Sequence, residues 1–254
     1  MWKQLPAIAS STLSSSLAGW RGTMAFAPAA RQPHTPLRLY EFEACPHCRR
    51  VREALTALEL DADIRPCPRG GTRFRAEAQQ LAGRAQFPLL VDGDADMVLL
   101  ESTAIIRHLY ERYAGRAAPA SLLLAPLDRA RSLAASLPRP RRGLRARPSR
   151  APAEALELYS FESSPFSRLV RERLCELELP YRLRNAGKAQ WQDMGPPQLR
   201  AALFADTPVR GRNRRALLAR AGRVQFPYLI DPNTGVALFE SARILDYLER
   251  EYAR

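Results

Sequence analysis

Apolar residues along this chain fall into short runs divided by charged and turn-forming positions, and their spacing separates strands from helices. Leu37 to Phe42 and Leu156 to Phe161 are short apolar and aromatic runs of strand type. Each leads into a turn bearing Pro46 or Pro165 and then into apolar positions at helical spacing, Val51, Leu55 and Leu58 in the first case and Val170, Leu174 and Leu177 in the second. A second strand is expected near Asp63 to Pro66 and Tyr181 to Leu183, followed by a less regular helix. A hairpin comes next: Phe87 to Val91 turns through Asp92-Gly93-Asp94 to Met97 to Leu100, and Pro227 to Ile230 turns through Asp231 to Gly235 to Val236 to Phe239. Closing helices are expected to start at Ser102 and Ser241 as N-caps and to bury Ile105, Leu109 and Tyr113, or Ile244, Leu248 and Tyr252. The order is βαβαββα, read twice.

The repetition is a duplication of sequence as well as of pattern. Shifted by 119 positions, residues 37–60 match residues 156–179 at 14 of 24 positions. A second block aligns at an offset of 139, pairing Gln86-Phe87-Pro88 with Gln225-Phe226-Pro227 and Glu101-Ser102 with Glu240-Ser241. The second copy therefore carries about 20 extra residues around positions 186–220, read as a loop insertion. Between the copies, Leu122 to Leu124, Leu127, Leu133 and Leu137 suggest a helix broken near Pro126, and Pro138 to Pro152 reads as an extended Arg/Pro-rich linker. At the start of the chain, Leu5, Ile8, Ala9, Leu13, Leu17 and Trp20 recur at helical spacing, which predicts an amphipathic helix packed through its apolar face. The serines from Ser10 to Ser16 interrupt any secretory apolar core, and a poverty of acids leaves an organellar transit peptide as the other reading.

Composition changes this picture only in part. The 254 residues carry 39 basic and 26 acidic side chains, a net charge of +13, and all but Lys3 and Lys188 of the basic ones are arginines. Such a balance invites a polyanion partner. However, residues 116–150 hold +8 and residues 200–223 hold +6, so the modules apart from that insertion are close to neutral and nucleic acid is not the expected partner. No apolar run is long enough to span a membrane. Four cysteines are too few and too unevenly spaced for a secreted disulfide framework, so a reducing compartment is expected, cytoplasm or plastid.

The candidate chemistry lies where the first strand passes into its helix. Cys45-Pro46-His47-Cys48 puts one sulfur at a helix N-terminus, where unpaired N–H groups and the helix dipole favour a thiolate, and the second one turn later. Cys45 is then the attacking thiolate and Cys48 the resolving thiol. Zinc would need two further ligands, and Cys67, Cys175, His34, His47 and His108 show no second paired spacing, so redox chemistry is favoured over a metal. Cys175 is expected to be an incidental buried thiol. Cys67 ends the second strand and could lie near Cys45, although a loop cysteine without a role is the favoured reading.

With Phe87-Pro88 and Glu101-Ser102 downstream, these elements in this order resemble two tandem glutaredoxin-like, glutathione S-transferase N-terminal modules of the thioredoxin fold, over residues 37–115 and 156–254. The resemblance implies glutathione as co-substrate and a cis Pro88. It also implies that the Phe87 backbone pairs with the cysteinyl part of glutathione and that Glu101 and Ser102 hold its γ-glutamyl end. Ser102 could also serve only as a helix cap. Cys-Pro-His-Cys further resembles the motif of periplasmic disulfide oxidases, a hint of an acidic first cysteine.

In the second copy Ser164-Pro165-Phe166-Ser167 replaces both cysteines, so dithiol exchange there is impossible. The copy is read either as a degenerate structural partner or, by its resemblance to serine-type glutathione transferases, as a site where Ser164 with Phe226, Pro227, Glu240 and Ser241 binds glutathione. The all-helical domain of full-length transferases is replaced by this second copy, which makes conjugation of bulky electrophiles less expected.

The expected architecture is α/β: an extension (1–36), a module (37–115), a helical then Arg/Pro-rich linker (116–155) and a second module (156–254). The leading functional reading is a glutathione-dependent thiol–disulfide oxidoreductase acting on thiol and disulfide substrates. A non-catalytic tandem module binding glutathione or an iron–sulfur cluster is the competitor.

Overall fold

The computed structural model describes residues 5–123, 125–195, 203–204 and 207–254. Leu124, the side chain of Leu127, and residues 196–202 and 205–206 of the expected insertion lie outside the described residues. In chain order the first part contains α1 (Leu5–Leu17), β1 (Leu37–Glu41), α2 (Pro46–Ala57), β2 (Ala62–Pro66), α3 (Arg75–Ala82), β3 (Leu89–Asp92), β4 (Met97–Leu100) and α4 (Ser102–Leu109), the last running into a π-helical turn at Tyr110–Ala114. After α5 (Ala120–Leu123) and α6 (Ala125–Ser136), the pattern returns as β5 (Leu156–Ser160), α7 (Pro165–Glu176), β6 (Tyr181–Asn185), α8 (Arg212–Ala221), β7 (Tyr228–Asp231), β8 (Val236–Phe239) and α9 (Ser241–Tyr252).

The two modules share one eight-stranded sheet in the order β4-β3-β1-β2-β6-β5-β7-β8. Within each module the first two strands are parallel, the third (β3 or β7) runs antiparallel to the first, and the hairpin returns the fourth (β4 or β8) antiparallel to the third. The modules meet where β2 pairs antiparallel with β6, Ile64 opposite Tyr181 and Asp63 opposite Arg182. Both strands are edges of their own modules, and pairing them removes two open edges at once. The register is reinforced by Arg182, whose guanidinium grips Asp63 at 2.7 and 3.0 Å, and by Arg184, which bridges Asp61 at 3.0 Å and Glu157 at 2.9 Å. One hydrophobic core then runs through both modules, from Leu39, Val51, Leu55 and Ile105 to Leu158, Val170, Leu174 and Ile244.

Above the sheet, α2 and α7 face each other across a buried ionic cluster. Arg52 reaches Glu41 and, at 2.8 Å, Glu162, while Arg171 holds Glu43 at 3.0 and 3.1 Å and Glu162 at 3.0 Å. Burial alone would push the Glu162 carboxyl up, but Arg171, Arg52 and Arg49 overcome it and hold the group well below the usual carboxylate range.

The segments leading into the modules are exchanged crosswise. The Ser11 hydroxyl of α1 donates to Pro165 O at 2.9 Å, at the start of the second module's α7, while Ser132 of α6 donates to Pro46 O at 2.7 Å, at the start of the first module's α2. The chain that follows each helix lies along the opposite module too. Lys188 exchanges backbone bonds with Thr23 (2.7 Å) and Ala25 (2.9 Å), and Arg69 with Leu144 (2.7 Å) and Ala146 (2.9 Å). Each strand of chain then returns to its own module, where Arg31 N–H meets Tyr113 O at 3.1 Å and Arg150 N–H meets Tyr252 O at 2.8 Å. At an offset of 121, Ser11, Ser15, Arg21, Gly22 and Ala25 match Ser132, Ser136, Arg142, Gly143 and Ala146. The segments expected as an extension and a linker are thus one structural element seen twice, and Pro138 to Pro152 is pinned to both modules rather than free.

Two local expectations are corrected. The buried face of α1 is Ser11, Ser14 and Ser15, whereas Leu5, Leu13 and Leu17 are 49%, 51% and 42% exposed. Serines let α1 approach α6 and α7 closely and satisfy polar partners there: Ser15 donates to Ser163 O at 2.8 Å and accepts from Arg168 at 3.0 Å. Ser102 and Ser241 are the first residues inside their helices, and Glu101 and Glu240 take the N-cap place without a side-chain cap bond.

Candidate functional site

In the first module Cys45 is the N-cap of α2, with φ −77° and ψ 119°, and Pro46 opens the helix. Proline is suited there because its missing N–H would be unpaired anyway. The Cys45 Sγ accepts from the Cys48 N–H at 3.3 Å. A hydrogen bond from the Cys48 thiol and the backbone N–H groups of Cys48 and His47 pull the Cys45 pKa below its ordinary value, against the opposing effect of burial. Burial, and then the bond to Cys45, push Cys48 well above its ordinary value. The pair is thus split into a thiolate-prone outer sulfur and a protonated inner one. Only 4% of Cys45 is exposed and Cys48 is fully buried.

Glu41, at the end of β1, was not picked out from the sequence. Its carboxyl is pushed up to about 7 because burial outweighs Arg52, and its charge raises the pKa of both Cys45 and Cys48. The signal for it was an asymmetry in the duplication, since the matching position in the second module is Ser160.

The Phe87–Pro88 bond is cis, and the Phe87 ring lies edge-on to Phe42 at 6.2 Å beneath the Arg75 guanidinium at 5.0 Å. Glu101 adopts φ 71° and ψ 117°, a region few side chains tolerate, and its carboxylate accepts from Gln86. The Ser102 hydroxyl accepts from Arg50 Nη1 at 2.6 Å. Arg50 also reaches Leu122 O at 2.9 Å, so a buried cation that the motifs do not mark stands behind the first turn of α4. A carboxylate is favoured at such a place by both the helix end and the guanidinium.

The second module repeats this frame with different chemistry. Ser164 is the N-cap of α7 and its hydroxyl accepts from the Ser167 N–H at 3.2 Å. Phe226–Pro227 is cis, Phe226 meets Phe161 edge-on at 5.7 Å, and Glu240 has φ 71° and ψ 116° with a bond from Gln225. All five residues expected for this site, Ser164, Phe226, Pro227, Glu240 and Ser241, line one cavity of about 780 Å³. Thr12, Trp20, Lys188 and Arg223 line it too, and the sequence motifs assign none of them to this site. Thr12 and Trp20 come from the exchanged N-terminal segment, which no local motif could place.

The other two cysteines are also free and buried, and the Cys67 N–H donates to Glu41 O at 2.6 Å, beside the first site. Cys67 is buried with Tyr40, Ala78, Leu89 and Val91, its thiol donates to Arg65 O at 3.4 Å, and burial pushes its pKa far up. Cys175 is buried between the Glu43 N–H, which donates to it at 3.4 Å, and Gly143 O, which accepts from it at 3.4 Å. Among the described residues no three His, Cys, Asp or Glu side chains gather in a metal-ligating group, and no helix is long and apolar enough to cross a membrane.

Comparison with known proteins bears on this frame. Residues 39–117 and 158–254 both match the family model for the glutathione S-transferase N-terminal domain. Among solved structures, Bombyx mori glutathione transferase BmGSTD1 is similar at 26% identity and a TM-score of 0.30, over 34% of this chain and 39% of that one. Leishmania TDR1, described as a trimeric glutathione transferase, is similar at 13% identity and a TM-score of 0.28, over 87% of this chain and 68% of that one. The chain thus spans well under half the length of the silkworm enzyme. No curated protein matches it at a significant level. The two matched segments cover most of the polypeptide, and the chain belongs to the glutathione S-transferase N-terminal domain family.

Proposed function

We propose that the first module is a glutathione-linked thiol–disulfide oxidoreductase with Cys45 as nucleophile. The observation that carries this is the split dithiol at the α2 N-terminus, in which Cys45 is thiolate-prone and Cys48 stays protonated. The Cys45 thiolate attacks the glutathionyl sulfur of a mixed disulfide, the S–S bond breaks, and the substrate leaves as a thiolate that takes up a proton from solvent. Cys48 then attacks the Cys45 sulfur, its proton passing to the departing glutathione thiolate, and a Cys45–Cys48 disulfide remains. Two glutathione molecules reduce that disulfide and become oxidised glutathione.

Because Cys45 is only 4% exposed, the site suits a slim disulfide such as the cysteinyl arm of glutathione better than a broad protein surface. Phe87, before the cis Pro88, is read as holding that arm, and Glu101 and Ser102 the γ-glutamyl end, with Arg50 supporting Ser102. Four free thiols suit a reducing compartment, cytoplasm or plastid. Reduction of hydroxyethyl disulfide and of a glutathionylated peptide tests the reading. Cys45→Ser should abolish both, and retained turnover in that variant would overturn it.

A second reading concerns the second module, where the cavity around Ser164 has the size of a small-ligand site. In this reading glutathione binds there with its thiolate near the Ser164 hydroxyl and its γ-glutamyl end at Glu240 and Ser241. Calorimetric titration of the Cys45→Ser/Cys48→Ser chain with glutathione should still show binding, weakened roughly tenfold by Ser241→Ala, about the worth of one hydrogen bond to a charged group. Unchanged affinity in Ser241→Ala would remove this reading.

A further inference from the structure

We propose that a small monovalent anion of chloride size binds between Arg49 and Arg168, at the meeting of the two modules, and helps hold them together. The two residues are equivalents in the duplication, each one turn beyond the N-cap of its helix, and each is 4% exposed. Between α1, α6 and the two module helices lies a cavity of about 20 Å³ whose charged lining is Arg49, Arg52, Arg139, Arg142 and Arg168 against Glu43 and Glu172. That volume holds one small ion or one water and is too small for sulfate or phosphate.

Two of its donors lack acceptors. Arg49 Nη2 and Arg168 Nε are both buried without a hydrogen-bond partner. Arg49 has a carboxylate at its Nε, Glu53 at 3.1 Å, whereas among the described residues the Arg168 guanidinium donates to the neutral Ser15 hydroxyl at 3.0 Å. Every neighbouring carboxylate is already taken: Glu53 by Arg49 and Arg21, Glu172 by Arg139 at 2.5 Å, Glu43 by Arg171 and Glu162 by Arg52 and Arg171. Arg168 is the surplus charge of the cluster. Burial and then the charge of Arg49 push its pKa down to about 9 against the pull of Glu162 and Glu43, the direction expected where repulsion and burial outweigh the nearby carboxylates. Water would fill the volume but supply no charge, whereas an anion accepts from both arginines and offsets their mutual repulsion.

The test is thermal unfolding of the full chain at fixed ionic strength, with sodium gluconate replaced stepwise by sodium chloride. A ligand that binds only the folded state raises Tm with the logarithm of its concentration above Kd, here by on the order of 5 °C at a hundredfold excess. The rise should vanish in Arg168→Leu. Crystals grown in bromide give a second measurement that does not depend on a variant folding: an anomalous peak within hydrogen-bond distance of Arg49 Nη2 and Arg168 Nε is expected. Identical wild-type Tm in the two salts, or a bromide map with nothing between the two arginines, would overturn the proposal.

Discussion

At the scale of single residues, the chemistry depends on what surrounds two similar serine or cysteine N-caps. Cys45 and Ser164 share backbone geometry and an N–H donor three residues on, yet only Cys45 stands close to an ionisable strand-end residue. Glu41 couples that site to pH. Its carboxyl ionises near 4.5 when unfolded and near 7 when folded, so between those values the folded state holds a proton the unfolded state lacks. Stability should therefore fall as pH rises from about 4.5 to about 7, by the linkage between proton uptake and folding. Glu41→Gln should flatten this part of the profile in urea titrations, and an unchanged slope would show that Glu41 is not the group responsible. Cys45, Cys48 and the Phe-Pro and Glu-Ser pairs were legible because local motifs carry them. Arg50 and Glu41 were not, because their roles arise from burial against partners distant in sequence.

At the scale of elements, strands and helices whose apolar residues face the common core were legible from periodicity, and β1, α2, β3 and β4 fall close to where the pattern put them. The exception was α1, where the helical period was right and the buried face was the opposite one. Apolar periodicity assumes that the hidden face is apolar, and α1 hides hydroxyls because it packs on helix starts and arginines. The loop after each exchanged helix fits as closely. Gly22 (φ +73°) and Gly143 (φ +65°) have left-handed backbones, and an added Cβ would lie 2.6 Å from Glu162 Cβ or 2.7 Å from Glu43 Cβ. Gly143→Ala should therefore cost roughly 2–4 kcal/mol in denaturant unfolding, combining backbone strain with overpacking. A change below about 0.5 kcal/mol, the scale of an ordinary surface substitution, would contradict this packing.

At the scale of the whole molecule, the duplication was plain in the sequence but the way its halves join was not. The β2–β6 pairing depends on two edge strands and on Asp63 meeting Arg182, a match between residues more than a hundred positions apart. The basic excess also has a different meaning here. From the segment read as a linker, Arg139 holds Glu172 in the interior and Arg147 pairs with Glu249 at the surface, so part of the charge that suggested a polyanion partner is matched within the chain. A shared sheet, a shared core and a buried ionic cluster predict that the two modules unfold together, as one calorimetric transition. Two transitions separable by the Cys45→Ser/Cys48→Ser substitutions would contradict that coupling. The claim on which the functional account turns is that the living thiol is Cys45. Incubating the full chain with oxidised glutathione and mapping the products by tandem mass spectrometry tests it most directly. The account predicts a glutathione adduct on Cys45 or a Cys45–Cys48 disulfide, with Cys67 and Cys175 untouched; an unmodified Cys45–Cys48 pair, or an adduct confined to Cys67 or Cys175, would contradict it.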